Sequence, residues 1–345
     1  MSLIDARTAL AETRLQLIGA RETPAAPAKP AAPGDLTPVM TAQRLIEWST
    51  AKPALSAQRL IVLGLLAGAF IAVGGAFFTA VMAELSLSHG PSRLLGGIAF
   101  STGLLLVCMS GAELSTGNCM MFAACSARRL TFGDVRRNLL LSYAANAAGA
   151  LAIVGLMAGS GLLENGHGRI AAAIADAKMN LGFEQAFFRG VLCNALVCVA
   201  VWLILAGRTI TSKLAGLVFP ISAFITLGFE HSIANFYLLP AGLMAGATGT
   251  FGAACANLLA VTLGNLAGGI LVALAVWLAY LRDDAHAVSR PESQAHPRAQ
   301  GLQDVRRRPG AYLFNRIVTP PTAADTSAPI FGPLSCKVTP WAFCN

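Results

Sequence analysis

Two carboxylates and one imidazole stand where apolar surroundings make each of them costly. Glu113 lies in Gly111-Ala112-Glu113-Leu114-Ser115-Thr116-Gly117-Asn118, and Glu230 and His231 lie in Gly228-Phe229-Glu230-His231-Ser232-Ile233-Ala234-Asn235, both within long apolar runs. An ionisable group at membrane depth is expensive and marks a functional site by default. The two stretches share Gly-x-Glu-x-Ser-x-x-Asn, four identities in eight positions set 117 residues apart, which points to an internal duplication. A carboxylate pair can do acid/base work, but one carboxylate per stretch at matching positions fits better the tying down of exposed amides or helix ends. Histidine, with an unperturbed pKa near ~6.5, is the side chain that changes charge around neutral pH, and its surroundings move that point either way. Of five histidines, His231 is the one inside an apolar span.

These residues need elements that hold them in a bilayer. The chain has 345 residues, 55% hydrophobic and 12% charged, with a mean hydropathy of +0.62, far from the roughly 25% charge of soluble domains. It reads as an integral membrane protein. The net charge of +8 does not imply nucleic acid, because the basic residues fall between and beyond apolar runs and form no aromatic-interleaved patch. Six apolar segments are long enough to cross a ~30 Å core at about 1.5 Å per residue. They are predicted over 60–83, 94–124, 138–157, 185–206, 214–244 and 255–280, the second and fifth broken into half-helices by the duplicated stretch. Residues 36–56 hold a predicted short surface helix leading into the first span. Residues 1–39 form a polar, Pro-rich amino-terminal tail without a signal peptide, 40–281 the membrane domain, and 282–345 a polar, Pro-rich tail, both tails expected to be disordered.

Spans three and six repeat as well. Asn138-Leu139-Leu140 followed by Asn146-Ala147-Ala148-Gly149 matches Asn257-Leu258-Leu259 followed by Asn265-Leu266-Ala267-Gly268 at an offset of 119. Three spans per half turn the halves over relative to each other, so the fold class is an all-α membrane protein built as an inverted 3+3 repeat. Corresponding interrupted helices point to a substrate site near the midplane. A break frees backbone amides and the positive end of a half-helix, and unwound backbone survives only inside protein or against a watery cavity. Such a pathway favours an anion. No phosphate-cradling Gly-x-x-x-x-Gly-Lys-Ser/Thr run supplies an energy source. Arg128, Arg129, Arg136, Arg137, Arg208, Lys213 and Arg282 collect on one side and Arg93, Arg169 and Lys178 on the other, which places both termini in the cytosol. The eight cysteines show no Cys-x-x-Cys spacing, so neither a metal nor another cofactor is expected.

The run Gly228 to Tyr237, with Gly111 to Asn118 and Cys193-Asn194-Ala195-Leu196-Val197-Cys198, resembles the formate/nitrite transporter family over about residues 40–281. The resemblance implies an aquaporin-like six-helix protomer, a homopentamer with one pore per protomer, and transport of a small monovalent anion or its acid across a bacterial-type inner (plasma) membrane. It implies His231 as the central pore histidine, Thr116 as the threonine facing it, Asn194 as the asparagine near it, and Lys178 as the lysine that draws anions to the periplasmic side. It implies constrictions at Phe100, Leu104, Leu114, Val197 and Phe224, with Ser115 at a position where the family often carries a bulky aromatic. That departure leaves the tightness of the cytoplasmic constriction, and with it substrate size and gating, open. Glu113, Glu230, Asn118 and Asn235 are read as structural groups at the breaks, as are Asn146 and Asn265.

An anion entering a dry pore between apolar rings meets a large desolvation penalty. Taking a proton, from His231 or through it from water, lets a weak acid pass as a neutral species. A membrane-embedded enzyme needs more converging polar groups than these spans offer, and a scaffold leaves the broken helices unexplained. Formate and nitrite are the favoured substrates, with hydrosulfide, acetate and lactate as alternatives, and passive and proton-coupled transport are both open.

Overall fold

The computed structural model describes residues 34–84, 88–164 and 166–282, so the expected tails lie almost wholly outside the described residues. Every element among the described residues is helical. In chain order they are α1 (Pro38–Ala51), α2 (Ala57–Glu84), α3 (His89–Ser110), α4 (Ser115–Asn118), α5 (Met121–Ser126), α6 (Phe132–Gly159), α7 (Gly166–Met179), α8 (Phe183–Ala206), α9 (Ile210–Thr226), α10 (Ser232–Met244) and α11 (Phe251–Val276), with a short turn over Lys52–Ala54 and a π-helical ending at Trp277–Leu281. Among the described residues five helices are long and apolar enough to cross a membrane, and α9 and α10, at 17 and 13 residues, are not. The expected sixth crossing therefore requires α9 and α10 to act as one interrupted span. The second span differs from the expected pair of halves: α3 alone has 22 residues, and past its break lie only the two short helices α4 and α5.

Helix starts are written in threonine. Thr37, Thr131, Thr209 and Thr250 each accept a bond from a backbone N–H in the first turn of the adjoining helix, and Thr131 does so within a capping box with Asp134. Each cap satisfies one of the amides that a helix leaves open at its beginning. Close crossings are written in glycine. A Cβ on Gly68 would sit 1.9 Å from the Asn146 carbonyl oxygen, and one on Gly268 would sit 2.1 Å from that of Val191. These absent side chains let α2 lie against α6 and α8 against α11, the two most extensive pairings in the bundle, as small residues permit in membranes.

The duplication is larger than three helices per half. The 158–184 connection, which the apolar runs leave without an element, contains α7, and α7 is the counterpart of α1. The inward residues Ala42, Leu45, Ser49 and Lys52 correspond to Gly168, Ala171, Ala175 and Lys178, each 126 positions on. Their neighbours correspond too, since α1 packs on α5 and α8 while α7 packs on α10 and α2. Each half thus consists of a short helix, a span, a broken span and a further span.

The glycine crossing gives a paired prediction. Gly68→Ala pushes α2 from α6 and destabilises by about 1–3 kcal/mol or more. Gly155→Ala, at a helical site with nothing within 4 Å, is neutral or stabilising by up to ~1 kcal/mol. Thermal unfolding of the purified protein in detergent checks the order.

Candidate functional site

Each break is made the same way. Gly111 ends α3 with φ +70°, and Gly228 comes just after α9 with φ +71°, a left-handed turn that glycine adopts without strain. The chain then runs extended to Leu114 and His231, the residues preceding α4 and α10. One asparagine stitches each extended piece in place. Asn146 Oδ1 accepts the Ser115 N–H at 2.9 Å, while its Nδ2 donates to the carbonyls of Gly64 (2.8 Å) and Glu113 (2.9 Å). Asn265 repeats this with the Ser232 N–H at 2.8 Å and the carbonyls of Gly190 and Glu230, both at 2.9 Å. The N–H groups of Glu113 and Glu230 donate to the carbonyls of Leu63 and Arg189. Protein groups thus satisfy the backbone on either side of each break, at Glu113 and Ser115 and at Glu230 and Ser232, which is what lets unwound chain persist at this depth.

The carboxylates, read as tying down exposed amides or helix ends, accept from side chains in and around the breaks. Glu113 accepts from Lys52 Nζ at 2.6 Å, Asn118 Nδ2 at 2.8 Å and Asn138 Nδ2 at 3.2 Å, and Asn118 Nδ2 also donates to Asn138 Oδ1. Glu230 accepts from Lys178 Nζ with both oxygens at 2.9 Å and from Asn235 Nδ2 at 2.8 Å, and Asn235 Nδ2 donates to Asn257 Oδ1. Each carboxylate thus joins the short helix of its half to the broken span and, through an asparagine, to the last span. The backbone amides go to Asn146 and Asn265 because a side-chain amide both donates and accepts, whereas a carboxylate only accepts. Lys178, expected to draw anions, is neutralised by Glu230, and its side chain is 14% exposed. Lys52, passed over in the sequence, is its counterpart and lies 3.9 Å from the Trp48 ring centroid. Burial pushes the Lys52 ammonium below its usual pKa, and Glu113 opposes that shift.

Three of the repeat's departures from symmetry meet at the site. Leu114 corresponds to His231, Thr116 to Ile233 and Gly68 to Asn194. These departures gather at one point. His231 Nε2 lies 3.1 Å from Thr116 Oγ1, and Asn194 Nδ2 donates to the carbonyls of Thr116 (3.2 Å) and Asn265 (2.6 Å). The other ring nitrogen, Nδ1, accepts the Ala234 N–H at 3.1 Å. A neutral imidazole that accepts at Nδ1 carries its proton on Nε2, so the ring donates to Thr116 and leaves the threonine O–H free to donate onward. All three side chains are buried.

Apolar residues enclose this pair. Phe100, Leu104, Leu114, Val197 and Phe224 belong to one buried cluster. Phe100 meets Phe224 edge to face at 5.7 Å, and Phe224 stacks on the His231 ring with centroids 6.1 Å apart. Ser115, expected at the constriction, is buried beside Thr116. Both line a lateral cavity of about 330 Å³ together with Ser232 and Asn265. Leu114, one residue earlier, lines a mouth. That mouth is a cavity of about 200 Å³ bordered by Arg44, Lys52, Leu104, Glu113, Leu114 and Lys213. The opposite mouth, of about 270 Å³, is bordered by Arg93, Lys178, Arg189, Phe229 and Glu230. Arg189 falls within an apolar run in the sequence and gives no signal there. Two basic mouths, an apolar constriction and a single donor pair between them suit the passage of a small anion or its acid. Among the described residues no group of three or more His, Cys, Asp or Glu is placed to hold a metal ion.

Known proteins resemble this chain. The family model described as "Formate/nitrite transporter" matches residues 39–280. The formate channel FocA of Escherichia coli K12 is 36% identical over 248 residues, covering 65% of this chain and 87% of that protein. A protein of Methanothermobacter thermautotrophicus described as a probable formate transporter is 38% identical over 246 residues, covering 65% and 90%. Among solved structures, an "FNT family ion channel" superposes with a TM-score of 0.65 at 29% identity, covering 70% of this chain and 98% of that one. A "Pentameric formate channel with formate bound" superposes with a TM-score of 0.60 at 33% identity, covering 65% and 98%.

The Lys52–Glu113 pair, with side chains 6% and 7% exposed, gives a test of the scaffold. Lys52→Met strands a buried carboxylate and costs about 3–5 kcal/mol. Lys52→Met combined with Glu113→Gln recovers a large part of that loss, and a double-mutant cycle on thermal or denaturant unfolding measures the coupling.

Proposed function

The chain belongs to the formate/nitrite transporter family, a family of membrane transport proteins, and from that premise we propose that it carries formate or nitrite through a pore between its two broken helices, the anion crossing the constriction as its conjugate acid. The observation that carries this reading is the His231–Thr116 pair, 3.1 Å apart and buried where the repeat departs from symmetry. An anion gathers at a basic mouth and meets apolar rings that would strip its water at large cost. Donation from the Thr116 hydroxyl or the His231 Nε2–H to one anion oxygen offsets part of that cost. The dry surroundings disfavour the charged form and so favour a proton on the other oxygen. Because Nδ1 is occupied by the Ala234 N–H, full protonation of the ring would forfeit the cap of α10. The ring therefore serves as a hydrogen-bond donor at Nε2, and the proton that neutralises the anion comes from water at the mouth. Asn194 is a positioning residue that holds Thr116 through its carbonyl.

The protein spans a bacterial-type plasma membrane with both ends in the cytosol, a placement supported by the arginines at 128, 129, 136 and 137. Residues 40–281 form the pore domain between terminal tails of 1–39 and 282–345. Assembly as a homopentamer is supported by the solved formate channel described as pentameric.

His231→Asn tests the proposal without losing the cap, since asparagine is among the best residues before a helix. In proteoliposomes wild-type formate flux rises as pH falls, and His231→Asn flattens that rise. An unchanged pH profile in the variant contradicts the role given to the ring. Flux of nitrite, hydrosulfide and lactate measured alongside ranks the substrates, with formate and nitrite expected ahead.

A further inference from the structure

The mouth bordered by α7 holds two guanidinium groups that the pore chemistry above does not use. Arg93 on α3 and Arg189 on α8 converge over Gly228. A Cβ built on that glycine would lie 2.9 Å from Arg93 Nη1 and 3.9 Å from Arg189 Nη1. Arg189 Nη1 donates to the Gly228 carbonyl at 3.3 Å, which occupies one of its five donors. Among the described side chains the ion pairs are Lys52–Glu113 and Lys178–Glu230, and none of the described carboxylates lies within ion-pair distance of either arginine. Lys178 and Glu230 cancel each other at the same mouth, so the two arginines leave a net positive charge on the wall of the 270 Å³ cavity.

Capping the end of α9 accounts for one arginine. It does not account for a second, which must be held near a like charge. The matching glycine in the other half, Gly111, has nothing within 4 Å of its built Cβ, so the convergence is not a by-product of the repeat. We propose that Arg93 and Arg189 form an anion-capture site ahead of the pore, selective for planar oxyanions such as carboxylates and nitrite over monatomic anions. The guanidinium fork matches two oxygens on one central atom and can grip them with paired, charge-assisted hydrogen bonds. A chloride or hydrosulfide ion meets the same charge without the second contact. Gly228 leaves the room: any side chain there would fill the space between the two arginines. This inference rests on the transport reading for its purpose, but the site's selectivity can be measured separately.

Phenylglyoxal labelling of the wild-type protein in detergent, read by mass spectrometry residue by residue, is the direct test. Formate or nitrite slows modification of Arg93 and Arg189 by ~5-fold relative to chloride at equal ionic strength, as expected when paired charge-assisted bonds replace simple screening, while Arg59 and Arg128 are unaffected. Equal protection by chloride, or none from any anion, overturns the proposal. Arg93→Lys/Arg189→Lys keeps the charge and loses the fork, so its half-saturating formate concentration rises several-fold with maximal flux unchanged. A double variant with wild-type half-saturation also overturns it. Protection by formate in a wild-type protein that carries no formate refutes the transport reading and leaves the site, whereas formate flux without protection refutes the site and leaves the transport reading.

Discussion

Backbone polarity at membrane depth is the constraint on which the rest of this molecule depends. Interrupting a helix in a bilayer exposes N–H and C=O groups that no solvent satisfies, and this chain interrupts two. Asn146 and Asn265 meet a central part of that demand by each joining three backbone groups, one donor and two acceptors. Everything else at the site hangs from those stitches. Glu113 and Glu230 fix the extended segments to the neighbouring helices, the left-handed glycines aim them, and the glycine crossings bring α6 and α11 near enough for the asparagines to reach.

A scaffold that is symmetric serves a site that is not. The stitches and the turn glycines obey the repeat, the carboxylate clusters largely do, and among the departures Leu114/His231, Thr116/Ile233 and Gly68/Asn194 are the ones that build the site. The division has a physical reason. Holding two unwound segments poses the same problem twice, and the same residues solve it twice. Donating to one small anion needs a single pair of groups, and two imidazoles facing each other across the narrow point would compete for one proton.

Much of this was legible in the chain itself. The Gly-x-Glu-x-Ser-x-x-Asn pattern located both breaks, and the Asn138/Asn257 and Asn146/Asn265 matches revealed the duplication because their duties require identical residues. Lys52 was not legible, since its helix shares no identical run with the one carrying Lys178. What repeats there is an inward stripe of small residues, visible only once packing shows which face is buried. Arg189 escaped because an apolar run hides a charge that sits at a helix mouth. Ser115 shows a limit of another kind: its place beside Thr116 in the sequence does not say which cavities it lines, and both residues line the lateral cavity. The side-chain partners of the carboxylates were not legible, because sequence order cannot distinguish a group that caps amides from one that bridges side chains.

The central claim, that the constriction is crossed as a neutral acid, is tested most directly by separating charge from protons. In proteoliposomes loaded with the protein alone, formate is allowed to distribute under an imposed pH gradient, and then under an imposed membrane potential with no pH gradient. The account predicts that formate accumulates on the alkaline side in proportion to the pH gradient and ignores the potential. Accumulation that tracks the potential and is indifferent to the pH gradient would mean that the bare anion crosses, and that the His231–Thr116 pair does not serve the proton step assigned to it.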